Sequence, residues 1–245
     1  MNETDSWVFE PATVAEATTI IARYPEPRSA LLPLLYLVQS VQGYVSQDGI
    51  VFCADTLGLT TAEVTAVASF YTMYKRAPCG EHLVSVCTNT VCAMLGGDAI
   101  YAALQTELGS TSAPLGQEQT AGEPGAPGSI TLEHAECLAA CDLAPVLQVD
   151  YEFYDNQSVA SATELVTELR AGRTPAPTRG ALPRGMKDAS RQLAGFFDRP
   201  DDVVAPSQST ETLRGNTLAA ERGWSAPPTP DDAVIPPLPP KEAKS

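Results

Sequence analysis

Four of the six cysteines of this chain fall into two spaced pairs, Cys87-x4-Cys92 and Cys137-x3-Cys141. Thiolates are soft anionic ligands, and four of them on two loops suit a [2Fe–2S] rhomb, which takes one cysteine pair on each iron. Structural zinc also uses four cysteines, but its knuckles favour Cys-x2-Cys, because two neighbouring ligands must converge on one tetrahedral ion. A disulfide exchanger of the thioredoxin type needs Cys-x-x-Cys at a helix N-terminus, a motif this sequence lacks. The remaining alternative is four buried free thiols with no bound group. The spacing, and the place of each pair directly after a predicted strand, point to the cluster and to one-electron transfer rather than substrate chemistry.

The neighbours of the four cysteines fit that chemistry. Thr88, Asn89 and Thr90 offer backbone and hydroxyl donors to sulfur, which stabilise a more negative reduced state, and Gly96-Gly97 lets the chain pack closely beyond Cys92. Glu136 and Asp142 flank the second pair and oppose an added electron. Cys53, among Val51, Phe52 and Ala54, reads as a core thiol, and Cys79 as a turn residue. His82 and His134 stand at strand ends and read as structural, so no Rieske set is formed. No residue is assigned a catalytic role, because no glycine-rich phosphate loop, Ser/His/Asp set or paired carboxylate site is present in the sequence.

The elements that must hold the cysteines follow from periodicity. His82-Leu83-Val84-Ser85-Val86 alternates as a strand does and runs into Cys87; helical spacing returns over residues 93–108, with Gly109 as a C-terminal cap. A Gly/Pro/Ser/Thr/Gln-rich stretch, 110–128, predicts a surface loop, and residues 130–134 resume a strand just before the second pair. Residues 146–149 and 151–154 suggest a hairpin, Asp155-Asn156-Gln157 a turn, and 162–170 a helix capped by Ser161-x-x-Glu164 and Gly172. Together these predict a small α/β domain over 79–172.

Residues 1–78 predict a helical bundle that packs or docks without chemistry of its own, with helices at 13–23, 29–42, 47–57 and 61–74. Thr13-x-x-Glu16 and Thr60-x-x-Glu63 both fit capping boxes. Residues 173–245 hold 12 of the 21 prolines, several in pairs such as Pro227-Pro228, Pro236-Pro237 and Pro239-Pro240. Proline removes donors and fixes φ, so this Pro-rich tail is expected to be extended, without continuous helix or sheet, apart from an amphipathic segment at 187–197. Phe196, Phe197 and Trp224 are either anchors for a partner's pockets or incidental aromatics of a disordered tail. The fold class expected is α+β.

Bulk properties narrow the setting. In 245 residues, 44% are apolar and 18% charged, which argues for a packed core. The net charge is −15, and the acidity is local: residues 1–172 carry 5 Lys/Arg against 21 Asp/Glu, residues 173–245 carry 10 against 9. Such a surface repels phosphate backbones, so nucleic acid is excluded as a partner. The start of the chain, Met1-Asn2-Glu3-Thr4-Asp5-Ser6, has neither a signal-peptide nor a presequence pattern, and a cytoplasmic location is expected. The longest apolar run, 30–41, is too short for a bilayer and is broken by Pro33 and Gln39, so no membrane span is expected.

Three segments resemble a known family: Ala68-Ser69-Phe70-Tyr71-Thr72-Met73-Tyr74, Val86-Cys87-Thr88-Asn89-Thr90-Val91-Cys92 and Glu136-Cys137-Leu138-Ala139-Ala140-Cys141. They are similar to those of the thioredoxin-like [2Fe–2S] subunit of respiratory NADH:quinone oxidoreductase, the E subunit of bacterial complex I, over residues 31–169. The resemblance implies a helical N-terminal domain and a thioredoxin-like ferredoxin domain, with Cys87, Cys92, Cys137 and Cys141 as ligands of one [2Fe–2S] cluster. It implies docking beside a partner subunit that binds FMN and NADH and near a neighbouring iron–sulfur subunit, on the cytoplasmic side of the membrane. The cluster would lie close to the flavin but off the main path to quinone, as an electron store or radical quencher.

The sequence departs from the family pattern where Ala139 or Ala140 stands in place of a common glycine, and in having Cys79 before the first strand. The tail beyond residue 172 exceeds the usual family core and is expected to wrap neighbouring subunits. Two alternatives stay open: an equivalent subunit of an NAD-linked hydrogenase or formate dehydrogenase, and a zinc-stabilised interaction module.

Overall fold

The structure is a computed structural model and describes residues 9–109, 118–198 and 210–226. Four helices open the chain: α1 (Pro11–Ile21), α2 (Leu31–Gln42), entered through a 3₁₀ turn at Pro27–Ala30, α3 (Gln47–Leu57) and α4 (Thr61–Phe70). Ser46 caps α3 by accepting from Gly49 N–H, and Gly43 and Gly58, both at positive φ, end α2 and α3. The Thr60–Glu63 capping box forms as expected. Ile20, Leu34, Leu35, Leu37, Val38, Cys53 and Val64 are wholly buried together, so the bundle has its own core and Cys53 is part of it.

Two boundaries differ from the sequence reading. α1 starts at Pro11, whose missing N–H costs nothing in the first turn, so Thr13 lies inside the helix, buried, and caps nothing. α4 stops at Phe70 rather than running to residue 74, because Tyr71 is extended and the chain turns back into the body. There Tyr74 donates its hydroxyl to Leu32 O at 2.9 Å, and Lys75 O accepts from Val45 N–H at 2.7 Å.

The second half is built on a five-stranded sheet: β1 (His82–Cys87), β2 (Gln119–Ala121), β3 (Ile130–Ala135), β4 (Leu147–Val149) and β5 (Glu152–Tyr154), in the order β2-β3-β1-β4-β5. β1 and β3 are parallel, in a register that sets Cys87 beside Ala135; the other pairings are antiparallel. Every residue of β1 is buried, because both faces of this central strand are covered. Val84, Val86, Ile130 and Leu132 pack under α6 (Gly97–Glu107) and α7 (Val159–Arg170). Leu83, Ser85 and Glu133 on the other face meet Met186 and Lys75.

The helix predicted over 93–108 is broken in two, α5 (Thr90–Met94) and α6, by Gly96 at φ 113°. α7 begins earlier than predicted: Ser158 caps it and Ser161 returns the bond, so Ser161-x-x-Glu164 is not the box. β2 lies in the stretch predicted to be loop, of which residues 110–117 are outside the described residues.

Over residues 173–198 the chain stays on the body. Arg179 pairs with Phe153, and α8 (Met186–Leu193) lies along α2 with Met186 and Ser190 buried. Phe196 is gripped between the guanidiniums of Arg23 and Arg191, so this aromatic serves the chain's own fold. α9 (Thr210–Glu221) belongs to a second compact unit and contradicts the expectation that the tail holds no further helix; the stretch between Pro206 and Pro227 contains no proline. The paired prolines and residues 1–6 lie outside the described residues. Among the described residues no helix is long and apolar enough to cross a membrane.

Candidate metal centre

Parallel pairing of β1 with β3 sends both cysteine loops off the same end of the sheet. Cys87 closes β1 with its N–H on Val146 O at 3.2 Å, and Thr88 N–H reaches Ala135 O across the ladder at 3.2 Å. Asn89 then caps α5 by accepting from Thr90 N–H, and this short helix carries Cys92 back toward Cys87. Gly97 makes the return feasible: a Cβ there would stand 2.5 Å from Cys87 O and 3.0 Å from Cys92 O, closer than packed atoms allow. The expectation placed on Gly96-Gly97 is met by two different means, a positive φ at Gly96 and backbone contact at Gly97.

The second loop follows β3 directly. The Sγ atoms of Cys137 and Cys141 are 3.7 Å apart, and between them Ala139 has φ 58° while Ala140 is buried. Of the two alanines that stand where the family commonly carries glycine, position 139 is therefore the one whose backbone favours it. Asn89 Nδ2 donates to Glu136 Oε2 at 2.8 Å, tying the first loop to the second.

Cys87 and Cys92 are buried, with Ala140, Val146 and the partly buried Leu138, Ala144 and Phe153 around them, whereas Cys137 and Cys141 are exposed. Burial, with its neighbour Cys87 adding, pushes the Cys92 thiol up to about 11. The hydrogen bond and charge of Cys137 raise Cys141. The donor set is thus four sulfurs, with no histidine: His82 lies at the opposite end of β1, bonded through Nδ1 to Asp150 at 2.7 Å, and His134 makes an edge contact with Tyr101.

Two further observations bear on what would fit. The Thr88 hydroxyl, next to Cys87, is buried and has no hydrogen-bond partner among the described residues, which leaves a donor for a sulfur acceptor. Among the described residues no three His, Cys, Asp or Glu side chains gather around one point as a single ion requires. The cysteines stand as two pairs, Cys87 with Cys92 and Cys137 with Cys141. Cys79, by contrast, is a buried residue of the segment before β1, outside any turn, near Leu83 and Met186, where burial pushes its thiol up to about 12.

A family model for thioredoxin-like [2Fe–2S] ferredoxins matches residues 17–170. The E subunit of the NADH-quinone oxidoreductase of Mycobacterium tuberculosis is 52% identical over 215 residues, which cover 88% of this chain and 82% of the relative. The E subunit designated 2 of the NADH-quinone oxidoreductase of Rhizobium meliloti is 33% identical over 156 residues, covering 64% of this chain and 88% of the relative. Among solved structures, an NAD+-reducing [NiFe]-hydrogenase in the H2-reduced state superposes with a TM-score of 0.46 at 16% identity, over 57% of this chain and 22% of that one.

Proposed function

Because this chain belongs to the thioredoxin-like [2Fe–2S] ferredoxin family, among the E subunits of NADH-quinone oxidoreductases, we propose that Cys87, Cys92, Cys137 and Cys141 hold one [2Fe–2S] cluster in an electron-transfer subunit of complex I. The observation that carries this reading is the meeting of two cysteine pairs at one end of the β1–β3 ladder. When bound, such a cluster takes up and releases single electrons.

The chain's own residues prepare the place. Cys87 and Cys92 supply a buried pair and Cys137 and Cys141 an exposed one, so one side of the site is shielded from water and the other faces outward. Thr88 Oγ1 is a buried donor without a partner among the described residues and would favour the more negative state of a bound cluster, and the Asn89–Glu136 bond holds the two loops in register. No group on this chain binds or transforms a substrate in this reading. FMN and NADH belong to a partner subunit, and the exposed second pair faces that partner or a neighbouring iron–sulfur subunit, on the cytoplasmic side of the membrane. The names of the relatives, subunits of a multi-chain NADH-oxidising enzyme, support the partners.

The test is the iron, sulfide and zinc content of the full chain purified without air, with an EPR spectrum after dithionite reduction. Two irons and two sulfides per chain with one rhombic S = 1/2 signal are expected. One zinc without sulfide overturns the reading.

A further inference from the structure

The segment after residue 172 returns to the thiol end of the sheet at one point. Thr178 N–H donates to Phe153 O at 2.8 Å and Phe153 N–H to Arg179 O at 3.3 Å, an antiparallel bridge on the outer edge of β5. The bridge directs the Arg179 side chain inward, where it is 15% exposed. Its Nε donates to Asp155 Oδ2 at 2.8 Å, and its Nη2, bonded to Asp155 Oδ1, stands 3.9 Å from Asp142 Oδ1. Asp142 is the residue directly after Cys141. The guanidinium carbon also lies 5.0 Å from the centre of the Phe153 ring, and Phe153 packs against the layer formed by Cys87, Cys92, Ala140 and Val146.

One cation thus meets both a carboxylate next to Cys141 and a ring that packs against Cys87 and Cys92. Its surroundings fix it there: the Asp155 carboxylate is nearly wholly buried and grips the guanidinium fork with two bonds. Because Nη2 lies between Asp155 and Asp142, the positive member of this ion pair is the one turned toward the Cys141 loop. The two carboxylates that flank the second cysteine pair are therefore answered differently. Glu136 meets the neutral amide of Asn89, and Asp142 meets a charge.

We propose that Arg179 is a positioning residue of the metal centre that raises its reduction potential, by offsetting the charge of Asp142 beside Cys141. An added electron makes the centre more negative, and a largely buried guanidinium that answers a carboxylate of the Cys141 loop lessens the repulsion. The proposal rests on the reading that the four cysteines hold a [2Fe–2S] cluster, and its test separates the two.

The full chain and its R179Q and R179K variants are purified without air, assayed for iron and sulfide, and titrated with redox mediators while the reduced-state EPR signal is followed. R179Q is expected to retain two irons and two sulfides and to have a lower midpoint potential than the unsubstituted chain. R179K, which keeps the charge and loses the fork, is expected to recover most of the shift. If R179Q does not fold with Asp155 left buried and unpaired, the double variant R179Q/D155N takes its place, and it too is expected to titrate lower, because Asp142 is then unanswered. An unchanged potential at full cluster content, or an equal shift in the Gln and Lys variants, overturns the role of the charge. Absence of iron and sulfide from the unsubstituted chain overturns the cluster reading itself.

Discussion

Gln39 and Ser190 meet across the packed faces of α2 and α8, the amide Nε2 donating to the hydroxyl Oγ at 3.0 Å, with both residues wholly buried. The same amide donates to Met73 O at 3.1 Å and accepts from Lys75 N–H at 2.7 Å, and Ser190 Oγ donates to Met186 O at 2.8 Å. A wholly buried glutamine is thereby fully satisfied, and it joins three segments far apart in sequence. Replacing Ser190 by Ala strands one amide hydrogen and is expected to cost about 1–3 kcal/mol. Gln39→Leu is expected to cost more, since it also strands Lys75 N–H. Urea unfolding of the two variants checks both the magnitude and the order.

Lys75 is the largest buried charge among the described residues. Its Nζ bonds Glu133, Glu118 and Thr72 O, with 1% of its side chain exposed, so it joins the loop after α4 to the face of the sheet that α6 and α7 do not cover. Burial lowers its pKa, but the charges of Glu133 and Glu118 outweigh burial and the group is raised. Lys75→Met removes the cation and leaves Glu133, which also accepts from Ser85, in a half-buried place without its partner. A loss of about 3 kcal/mol at neutral pH is expected. Urea unfolding of the variant beside the unsubstituted chain measures the loss.

The His82–Asp150 pair predicts a pH dependence with a definite sign. Burial pulls His82 down, yet its hydrogen bond to Asp150 and the charges of Asp150 and Glu81 prevail, and the imidazole is raised above its ordinary value. The folded state therefore binds the proton more tightly than the unfolded chain. Its contribution is complete below the unfolded value of about 6.5 and is lost as the pH rises through the higher folded value. Asp150 also accepts from Leu83 N–H and Gly185 N–H, so the start of α8 depends on the same carboxylate. A melting temperature that falls between pH 6.5 and pH 9, and falls less in His82→Gln, is the expected result. An identical slope in both proteins would remove His82 from the account.

Ala139 at φ 58° carries a cost that glycine does not, of about 1 kcal/mol. Ala139→Gly is expected to stabilise the Cys137–Cys141 loop and to slow the release of iron to a chelator, whereas Ala140→Gly, at a buried position with negative φ, is expected to gain nothing. Release half-times of the two variants side by side provide the check.

What the sequence revealed, and what it hid, divides along the range of the interactions. Alternation in His82–Cys87 survives in the structure because period two is a property of the strand itself, and the Thr60–Glu63 box because a cap is closed within four residues. The cysteine spacing was legible for the same reason. Ser161-x-x-Glu164 fitted the box pattern and failed, because Ser158 offers the same chemistry three residues earlier with Ser161 as its partner. Lys75, in Tyr74-Lys75-Arg76, looks like any solvated charge; only the fold brings Glu118 and Glu133 to it. Arg179 is hidden more deeply, since its place depends on an edge bridge to Phe153 and on an ion pair with Asp155. α8 was visible as an amphipathic stretch, but not the helix it covers. Its partner face on α2, lined by Gln39, is far away in sequence.

The parallel register that sets Cys87 beside Ala135 also orders events during biosynthesis. Antiparallel neighbours can pair as they emerge, but a parallel pair closes only after its whole crossover has been made. A nascent chain that has emerged only through α6 therefore displays Cys87 and Cys92 with no opposite pair, and a donor of iron and sulfide would find half a mouth. Maturation of the proposed centre is in consequence a step that follows strand closure.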